Sequence, residues 1–162
     1  MSIAIELERV LILDAASEQF IQLRERPSGA TDARSSTAPR RVFSIKIGTP
    51  EAIAIERRLR GLPVPRPQTH DLLATAIQAL GAKVKSVEIH TLEEGTFFAD
   101  IHLVREGEDE VITLDARPSD AIALAVGLMV PLFATESVLE AASEAEAQVE
   151  PPAFDPEDDE DD

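Results

Sequence analysis

Residues 84–129 read VKSVEIHTLEEGTFFADIHLVREGEDEVITLDARPSDAIALAVGLM. The first part of this stretch contains three short runs rich in β-branched and aromatic residues, at 84–92, 97–104 and 111–116, separated by the turn-forming segments EEG and REGEDE. This spacing predicts a three-stranded antiparallel meander. From Pro118 the sequence becomes almost entirely small and apolar, which predicts a helix that is buried against the sheet or against a partner subunit.

The segment before this stretch contains further strand signals. Apolar residues alternate from Met1 to Ile12, with a possible bulge near Arg9, and a second strand is indicated around residues 20–23. Residues 42–47 predict a third strand. Between the second and third strands, residues 27–41 are rich in Ser, Ala, Thr and Pro without apolar periodicity, so we expect a long exposed loop.

Three more helices and a short strand complete the expected elements. Residues 49–60 have Thr49 as a candidate N-cap, Pro50 at the first helical position and Gly61 just past the end. A second helix is expected from Thr69 to Gly81, a short strand at 130–134, and a helix capped by Thr135 at 135–148. The second helix is expected to turn five apolar residues inward, namely Leu72, Leu73, Ala76, Ile77 and Leu80. The predicted fold class is α+β, a single domain with a mixed, largely antiparallel sheet and about four helices.

The net charge is distributed unevenly along the chain. The 162 residues carry 15 Lys plus Arg against 31 Asp plus Glu, a formal charge of −16. All the basic residues lie before residue 118, and the first 135 residues carry 15 basic against 19 acidic residues, or −4. The remaining −12 belongs to the C-terminal segment, whose end, VEPPAFDPEDDEDD, is typical of a disordered acidic tail. Such a tail serves solubility or mimics nucleic acid at a basic groove, and net charge alone does not decide between these roles.

The composition excludes several classes of function. Without cysteine there is no disulfide framework, no thiolate metal site and no cysteine nucleophile. The apolar runs are too short for a membrane span and the N-terminus lacks a basic region followed by an apolar one, so we expect a soluble, cytoplasmic protein without a membrane partner. The phosphate-binding loop of nucleotide-binding enzymes, zinc-ligand spacing and the G-x-S-x-G elbow of hydrolases do not occur.

Acidic residues occupy the starts of three predicted helices. The three segments are Thr49-Pro50-Glu51, Thr69-His70-Asp71 and Arg117-Pro118-Ser119-Asp120. A helix N-terminus presents unpaired N–H groups and a partial positive charge, which suits carboxylate side chains and bound phosphate alike. Each of the three carboxylates therefore either complements a helix dipole or belongs to a site.

The segment from Asp115 to Asp120 combines two carboxylates, a guanidinium and a hydroxyl at a strand-to-helix junction. Asp115 and Asp120 are candidate ligands for a divalent cation that activates water, while Arg117 and Ser119 are candidates for binding phosphate. The alternative is an ion pair between Arg117 and an aspartate that locks the junction.

The three histidines differ in what their surroundings indicate. His70 adjoins Asp71 and follows a proline-rich linker that contains Arg66, so it is a candidate general acid or base. His90 and His102 lie on predicted strands, where a metal site at Asp100 and His102 is possible but a solvated strand surface is the simpler interpretation.

Three stretches together resemble the bifunctional nuclease domain family. They are FSIKIGTPEAIAI at 43–55, PRPQTHDLLATAIQALGAKVKSVEI at 65–89, and GTFFADIHL followed by LDARPSDAIALAVGLMVPLFATESVLE. Members of this family pair T-H-D-L with A-R-P-S-D-A-I-A-L-A at this separation. The resemblance covers roughly residues 3–141, which predicts a nuclease-like domain at 1–141, with an inserted loop at 27–41, and a disordered acidic tail at 142–162.

The resemblance implies an α+β domain that forms a homodimer with a groove and hydrolyses both DNA and RNA. It implies catalytic roles for one set of residues: His70, Asp71, Asp115, Ser119 and Asp120. It implies substrate binding by Arg66, Thr69 and Arg117, and a divalent cation, Mg or Mn, held by Asp71, Asp115, Asp120 and Glu51. We expect these residues to converge within about 10 Å if they form one active site.

A non-catalytic interpretation of the same residues stays open. The chain would then be a dimeric binding or regulatory module in which the A-R-P-S-D-A segment is a structural lock. The inserted loop carries Arg34, Arg40 and Arg41, which either add phosphate contacts at the groove rim or belong to a tolerated surface loop.

Overall fold

Eleven elements follow one another along the described part of the chain. The computed structural model describes residues 1–13, 17–27 and 39–148. The strands are β1 (Ser2–Leu11), β2 (Glu18–Glu25), β3 (Val42–Gly48), β4 (Ala82–Glu93), β5 (Thr96–Arg105), β6 (Val111–Ala116) and β7 (Leu132–Thr135). The helices are α1 (Thr49–Leu59), α2 (Thr69–Ala79), α3 (Pro118–Leu128) and α4 (Glu136–Ala147). The predicted α+β class with four helices is confirmed.

The strands form a seven-stranded sheet in the order β3-β2-β1-β7-β4-β5-β6. The expected meander is its β4-β5-β6 half, and the pairing of β4 with β7 is the one parallel pairing among the described strands. The predicted bulge near Arg9 is present, because the register of β1 with β2 shifts between Leu7 and Arg9. The mixed, largely antiparallel sheet is therefore as expected.

One face of the sheet forms the core. Ile5, Leu23 and Ile101 project from this face, and all three are nearly inaccessible to solvent. α3 lies over β4 and β5, with its residues Ala121 to Ala125 fully buried. The predicted buried helix is therefore a central element of the core.

The sheet curls strongly toward this core face. β3 is at one end of the strand order and β5 is next to the other end, with four strands between them, yet the rings of Phe43 and Phe97 stack with centroids 5.8 Å apart. The curl brings the end of β3, where α1 begins, toward the end of β6, where α3 begins. Chain segments separated by 66 residues, at Glu51 and Arg117, come into contact there.

α2 differs from its prediction. Of the five apolar residues expected to face inward, Ile77 is buried, whereas the other four are exposed. Leu72 keeps 61% of its surface accessible and Leu80 keeps 82%. The prediction is wrong for the single chain. α2 packs against α3 and the start of β4 along one narrow side, and the rest of its surface is uncovered.

Two further predictions concern the inserted loop at 27–41 and the C-terminal boundary of the domain. Residues 28–38 of the expected loop lie outside the described residues, and Arg41 is held at the start of β3 by ion pairs with Glu25 and Glu136. The boundary predicted after residue 141 falls inside α4, where Ala142 is buried and Glu146 accepts hydrogen bonds from Ser44. Residues 149–162 of the expected tail lie outside the described residues.

Candidate active site at three helix starts

The starts of α1, α2 and α3 meet in one hydrogen-bonded cluster, which we call the helix-start cluster: Glu51, His70, Arg117 and Asp120. Asp120 is its centre, since its Oδ1 lies 2.9 Å from His70 Nε2 and its Oδ2 accepts from Arg117 Nε at 2.8 Å. Arg117 Nη2 also donates to Asp120 Oδ1 at 3.2 Å, and its Nη1 donates to Glu51 Oε1 at 3.2 Å. The structure thus brings four of the predicted site residues into direct contact.

Local sequence explains why these side chains face one another. Pro50 and Pro118 occupy the first turns of α1 and α3, where a missing N–H costs nothing, and each helix carries its acidic residue within its first turn. Gly48, at the N-cap of α1, leaves the space that the Glu51 carboxylate occupies, since a Cβ at position 48 would collide with Glu51 Oε2. A larger residue at position 48 would displace one partner of Arg117.

The charges of the cluster stabilise one another. Burial opposes ionisation of Asp120, but the hydrogen bonds from Arg117 and His70 outweigh it, so the pKa of Asp120 is below its usual value of 3.8. The hydrogen bond and charge of Asp120 raise the pKa of Arg117. At neutral pH Asp120 and Arg117 therefore form an ion pair, and His70 is hydrogen-bonded to the same carboxylate.

The cluster adjoins an open cavity of about 600 Å³. Arg117 reaches this cavity with 63% of its side chain exposed, and Glu51 and Lys46 also line it. Ser119 contributes to the wall but is itself 94% buried, since its relative exposure is 6%. Arg117 is thus the cationic group of the cluster that a ligand in the cavity would meet.

Asp71 belongs to a different group, although it is adjacent to His70. Its Oδ2 accepts from Arg57 at 2.7 Å and from the backbone N–H of Gln68 at 3.0 Å, and its Oδ1 accepts from Arg58. Burial raises the pKa of Asp71, but the hydrogen bonds from Gln68 and Arg57 prevail and lower it. We call Asp71, Arg57 and Arg58 the Asp71 clamp, because it ties the start of α2 to α1.

Three other predicted residues lie apart from the cluster. Asp115 pairs with Asp100 in the β5–β6 register, one residue out of phase with the buried Ile101, so it lies on the outer face of the sheet. Thr69 and Arg66 are exposed near the start of α2, and Arg66 has no ion pair within the described ranges. Asp115 is only two residues from Arg117, but it faces away from the cluster and forms no hydrogen bond or ion pair with it within the described residues. The structure therefore joins the helix starts through direct contacts and leaves Asp115 outside them.

The histidines on the strands have local partners. His90 Nε2 lies 3.5 Å from Asp100 Oδ1, and His102 Nδ1 lies 3.2 Å from Ser86 Oγ. The pair suggested by the sequence, Asp100 with His102, is therefore not formed. Nowhere in the part of the chain that the structure describes do three or more His, Asp or Glu side chains form a group that could hold a metal ion.

The predicted metal ligands do not fit a cation as they are arranged. Both oxygens of Asp120 and both oxygens of Asp71 accept hydrogen bonds from cationic side chains, and Asp115 lies on the other face of the sheet. A divalent cation needs several free oxygen ligands around one point. We therefore derive no chemical step through a metal ion.

Sequence reasoning missed Arg57, Arg58 and Gly127. Arg58 is buried against α3, where its Nε donates to the carbonyl oxygen of Ala123 at 2.6 Å. A Cβ at position 127 would collide with the Arg58 guanidinium, so the glycine provides its space. The adjacent arginines were visible in the sequence, but their partners lie 13 to 65 residues away and depend on how α1, α2 and α3 pack.

Comparison with known proteins agrees with this architecture. The family model described as "Bifunctional nuclease domain" matches residues 33–147, which is more than half of the chain and includes the whole helix-start cluster. The chain belongs to the bifunctional nuclease domain family. The resemblance seen in the sequence is thereby confirmed.

Individual relatives match part of the chain. An uncharacterized protein of Mycobacterium tuberculosis (strain H37Rv) is 44% identical over 99 residues, covering 61% of this chain and 57% of that protein. Bifunctional nuclease 1 and bifunctional nuclease 2 of rice (Oryza sativa subsp. japonica) are each 32% identical, over 82 and 101 residues, covering 50% and 62% of this chain. The chain spans 57% of the mycobacterial protein and only 25% and 30% of the two rice proteins.

Proposed function

We propose that this bifunctional nuclease domain hydrolyses phosphodiester bonds in DNA and RNA with low sequence specificity. The observation that carries the proposal is the contact chain from His70 through Asp120 and Arg117 to Glu51, beside an open cavity. A proton-transfer group and a phosphate-binding cation thus share one carboxylate. The rice relatives named bifunctional nucleases support the same activity class.

In this proposal His70 transfers the proton. Asp120 accepts the hydrogen bond of His70 Nε2, which leaves Nδ1 as the ring nitrogen that can take up a proton from an attacking water or return one to the leaving oxygen. Asp120 orients the ring through this hydrogen bond. Nδ1 has no hydrogen-bond partner within the described ranges, so a water or substrate hydroxyl can approach it.

Arg117 binds the phosphate in this proposal. A guanidinium can donate two parallel hydrogen bonds to phosphate oxygens and neutralise charge that develops on them. Arg117 is exposed toward the cavity while Asp120 and Glu51 hold its position. Arg66 and Thr69 would contact the substrate further along the start of α2, and Ser119 would keep the start of α3 in place. The predicted Mg or Mn cofactor has no role in these steps.

A second function is favoured by one observation, namely that the carboxylates of the cluster are already paired with cationic groups. In this alternative the A-R-P-S-D-A segment is a structural lock in a non-catalytic dimeric module. Asp120→Asn separates the two proposals. Both proposals predict that the variant loses stability, by about 1–3 kcal/mol, because a partly buried ionic partner is removed. Only catalysis predicts that the folded variant also loses a hydrolytic activity that the wild type has.

The assay uses end-labelled single-stranded RNA and linear DNA incubated with the purified full chain. His102→Gln is the matched control, since His102 lies on the outer face of β5 and its one side-chain hydrogen bond among the described residues is with Ser86. Equal hydrolysis by the wild type, His70→Gln and Asp120→Asn would mean that the proposed site does no chemistry. Assays with and without added Mg or Mn, and with EDTA, test the predicted cofactor.

We further propose that the chain acts as a homodimer in the cytoplasm. The exposed apolar side of α2 supports the dimer, because Leu72, Ala76 and Leu80 recur every four positions on one side of the helix. Within the described ranges, no helix is long and apolar enough to cross a bilayer.

A further inference from the structure

A second cavity, of about 540 Å³, is lined by residues of α1, α2, the start of β4 and the end of α3. Aliphatic side chains such as Ile77 and Val130 share its wall with charged ones, namely the cations Arg58 and Lys83 and the carboxylate of Asp71. None of the four residues of the helix-start cluster lines it. A cavity of this size is within the range of small-molecule sites.

Arg58 is a buried cation at the wall of this cavity. Its side chain is 6% exposed, its Nε donates to Ala123 O and its Nη1 donates to Asp71. Its Nη2 has no acceptor within the described ranges. Nη2 is not one of the buried side-chain atoms left without a partner, so it keeps access to solvent. It is therefore free to donate to a ligand, and a hydrogen bond from a guanidinium favours an anionic acceptor.

The charge balance around Arg58 also favours an anion. Arg57 and Arg58 share the single carboxylate of Asp71, which leaves one positive charge of the Asp71 clamp uncompensated. Lys83, on the cavity wall, has no ion pair within the described ranges. Burial, the largest influence on Arg58, lowers its pKa, as expected for a cation whose neighbours do not fully compensate its desolvation.

The position of the Arg58 side chain depends on a glycine in α3. Gly127 lies within α3, where glycine is a poorer helix former than alanine. Its missing side chain leaves the space that the Arg58 guanidinium fills. Packing of α1 against α3 therefore fixes the position of the guanidinium.

We propose that this cavity binds a small organic anion with an aliphatic body. The head group accepts hydrogen bonds from Arg58 Nη2 and is attracted by Lys83, while the aliphatic body packs against Ile77, Val84 and Val130. This site is separate from the proposed phosphodiester hydrolysis and does not depend on it. The observations specify a ligand with a negatively charged head group and an apolar body. Carboxylate and phosphate head groups both meet this description.

The test titrates the full chain with hexanoate and with hexyl phosphate, and follows backbone amide shifts in two-dimensional NMR. We expect saturable shifts at Ala74, Gln78 and Val130 with at least one of these probes, and the stronger one identifies the head group. The matched control probes are 1-hexanol, which lacks the charge, and inorganic phosphate, which lacks the body. Both should bind at least tenfold more weakly.

Variants locate the binding. Lys83→Ala changes an exposed residue and should weaken binding about tenfold, as loss of one charged partner does. Gly127→Ala should displace Arg58 and weaken binding more, whereas Lys85→Ala, which does not line this cavity, should leave it unchanged. Absence of saturable shifts with both anions would overturn the proposal, and so would binding that is equal in the wild type and Lys83→Ala.

Discussion

At the scale of single residues, Asp120 determines the character of the candidate site. It contacts both the histidine that would transfer a proton and the arginine that would meet a phosphate. Asp71 differs from Asp120 because Arg57 and Arg58 occupy its oxygens. Two aspartates at similar positions in their helices therefore differ in function, because one faces the cluster and the other faces the clamp.

The ionised state of Asp120 contributes stability that depends on pH. Because its folded pKa lies below the usual 3.8, this contribution is complete above about pH 4 and is lost as the pH falls through the folded value. Asp120→Asn mimics the protonated carboxyl. We expect urea unfolding to show the wild type more stable than Asp120→Asn at pH 7, with the difference shrinking below pH 4.

The other acidic groups with lowered pKa values, such as Asp71, are present in both proteins and cancel in that difference. A stability difference that stays constant between pH 7 and pH 2.5 would show that Asp120 is not held as an ion. Glu140→Gln, at an exposed position on α4, is the matched control and should behave as the wild type does at every pH.

At the scale of elements, sequence patterns predicted the strands and helix starts well. Proline, glycine and acidic residues define helix starts locally, and alternation defines strands locally, so α1, α3 and the β4-β5-β6 meander could be predicted. The position of Asp115 could not be predicted. The face of the sheet on which it lies depends on the register of β6 with β5 and on which face the helices cover. Arg58 was missed for the same reason, since its partners are set by helix packing.

The exposed side of α2 carries the dimer prediction. Leu72→Glu combined with Leu80→Glu should convert a dimer into a monomer, because four buried leucines across a two-fold interface would become four charges. Light scattering after size exclusion measures the mass. Ile53→Glu, at an exposed apolar position on α1, is the control and should remain dimeric. A wild type that is monomeric at a protein concentration of about 50–100 μM would contradict the proposal.

At the scale of the whole molecule, the charge of −16 does not oppose a nucleic-acid substrate as strongly as it first suggests. Residues 1–135 carry −4, and the remaining charge lies C-terminal to them. Within the described part, Arg26, Arg66, Lys83, Lys85 and Arg105 form no ion pair and remain able to attract phosphate. The acidic end of the chain is therefore the main source of repulsion.

Removal of residues 149–162 should strengthen nucleic-acid binding at low salt. This segment carries eight acidic residues, and its repulsion is screened as the ionic strength rises, so the gain should fade at high salt. Truncation after Gln148 leaves α4 complete. Fluorescence anisotropy with labelled single-stranded DNA measures the affinity. The full-length chain with these eight acidic residues changed to Asn and Gln should bind nucleic acid as tightly as the truncated chain does. If neither change alters the affinity, the segment serves solubility and does not repel nucleic acid.

The most direct test of the central claim is the rate at which the full chain cleaves labelled single-stranded RNA and DNA when His70 is replaced by Gln. Removal of a proton-transfer group predicts a fall of about 100-fold or more in the initial rate. His102→Gln should keep the wild-type rate, and all three proteins should melt at similar temperatures. Cleavage by His70→Gln at the rate of the wild type would contradict the assignment of the helix-start cluster as the site of hydrolysis.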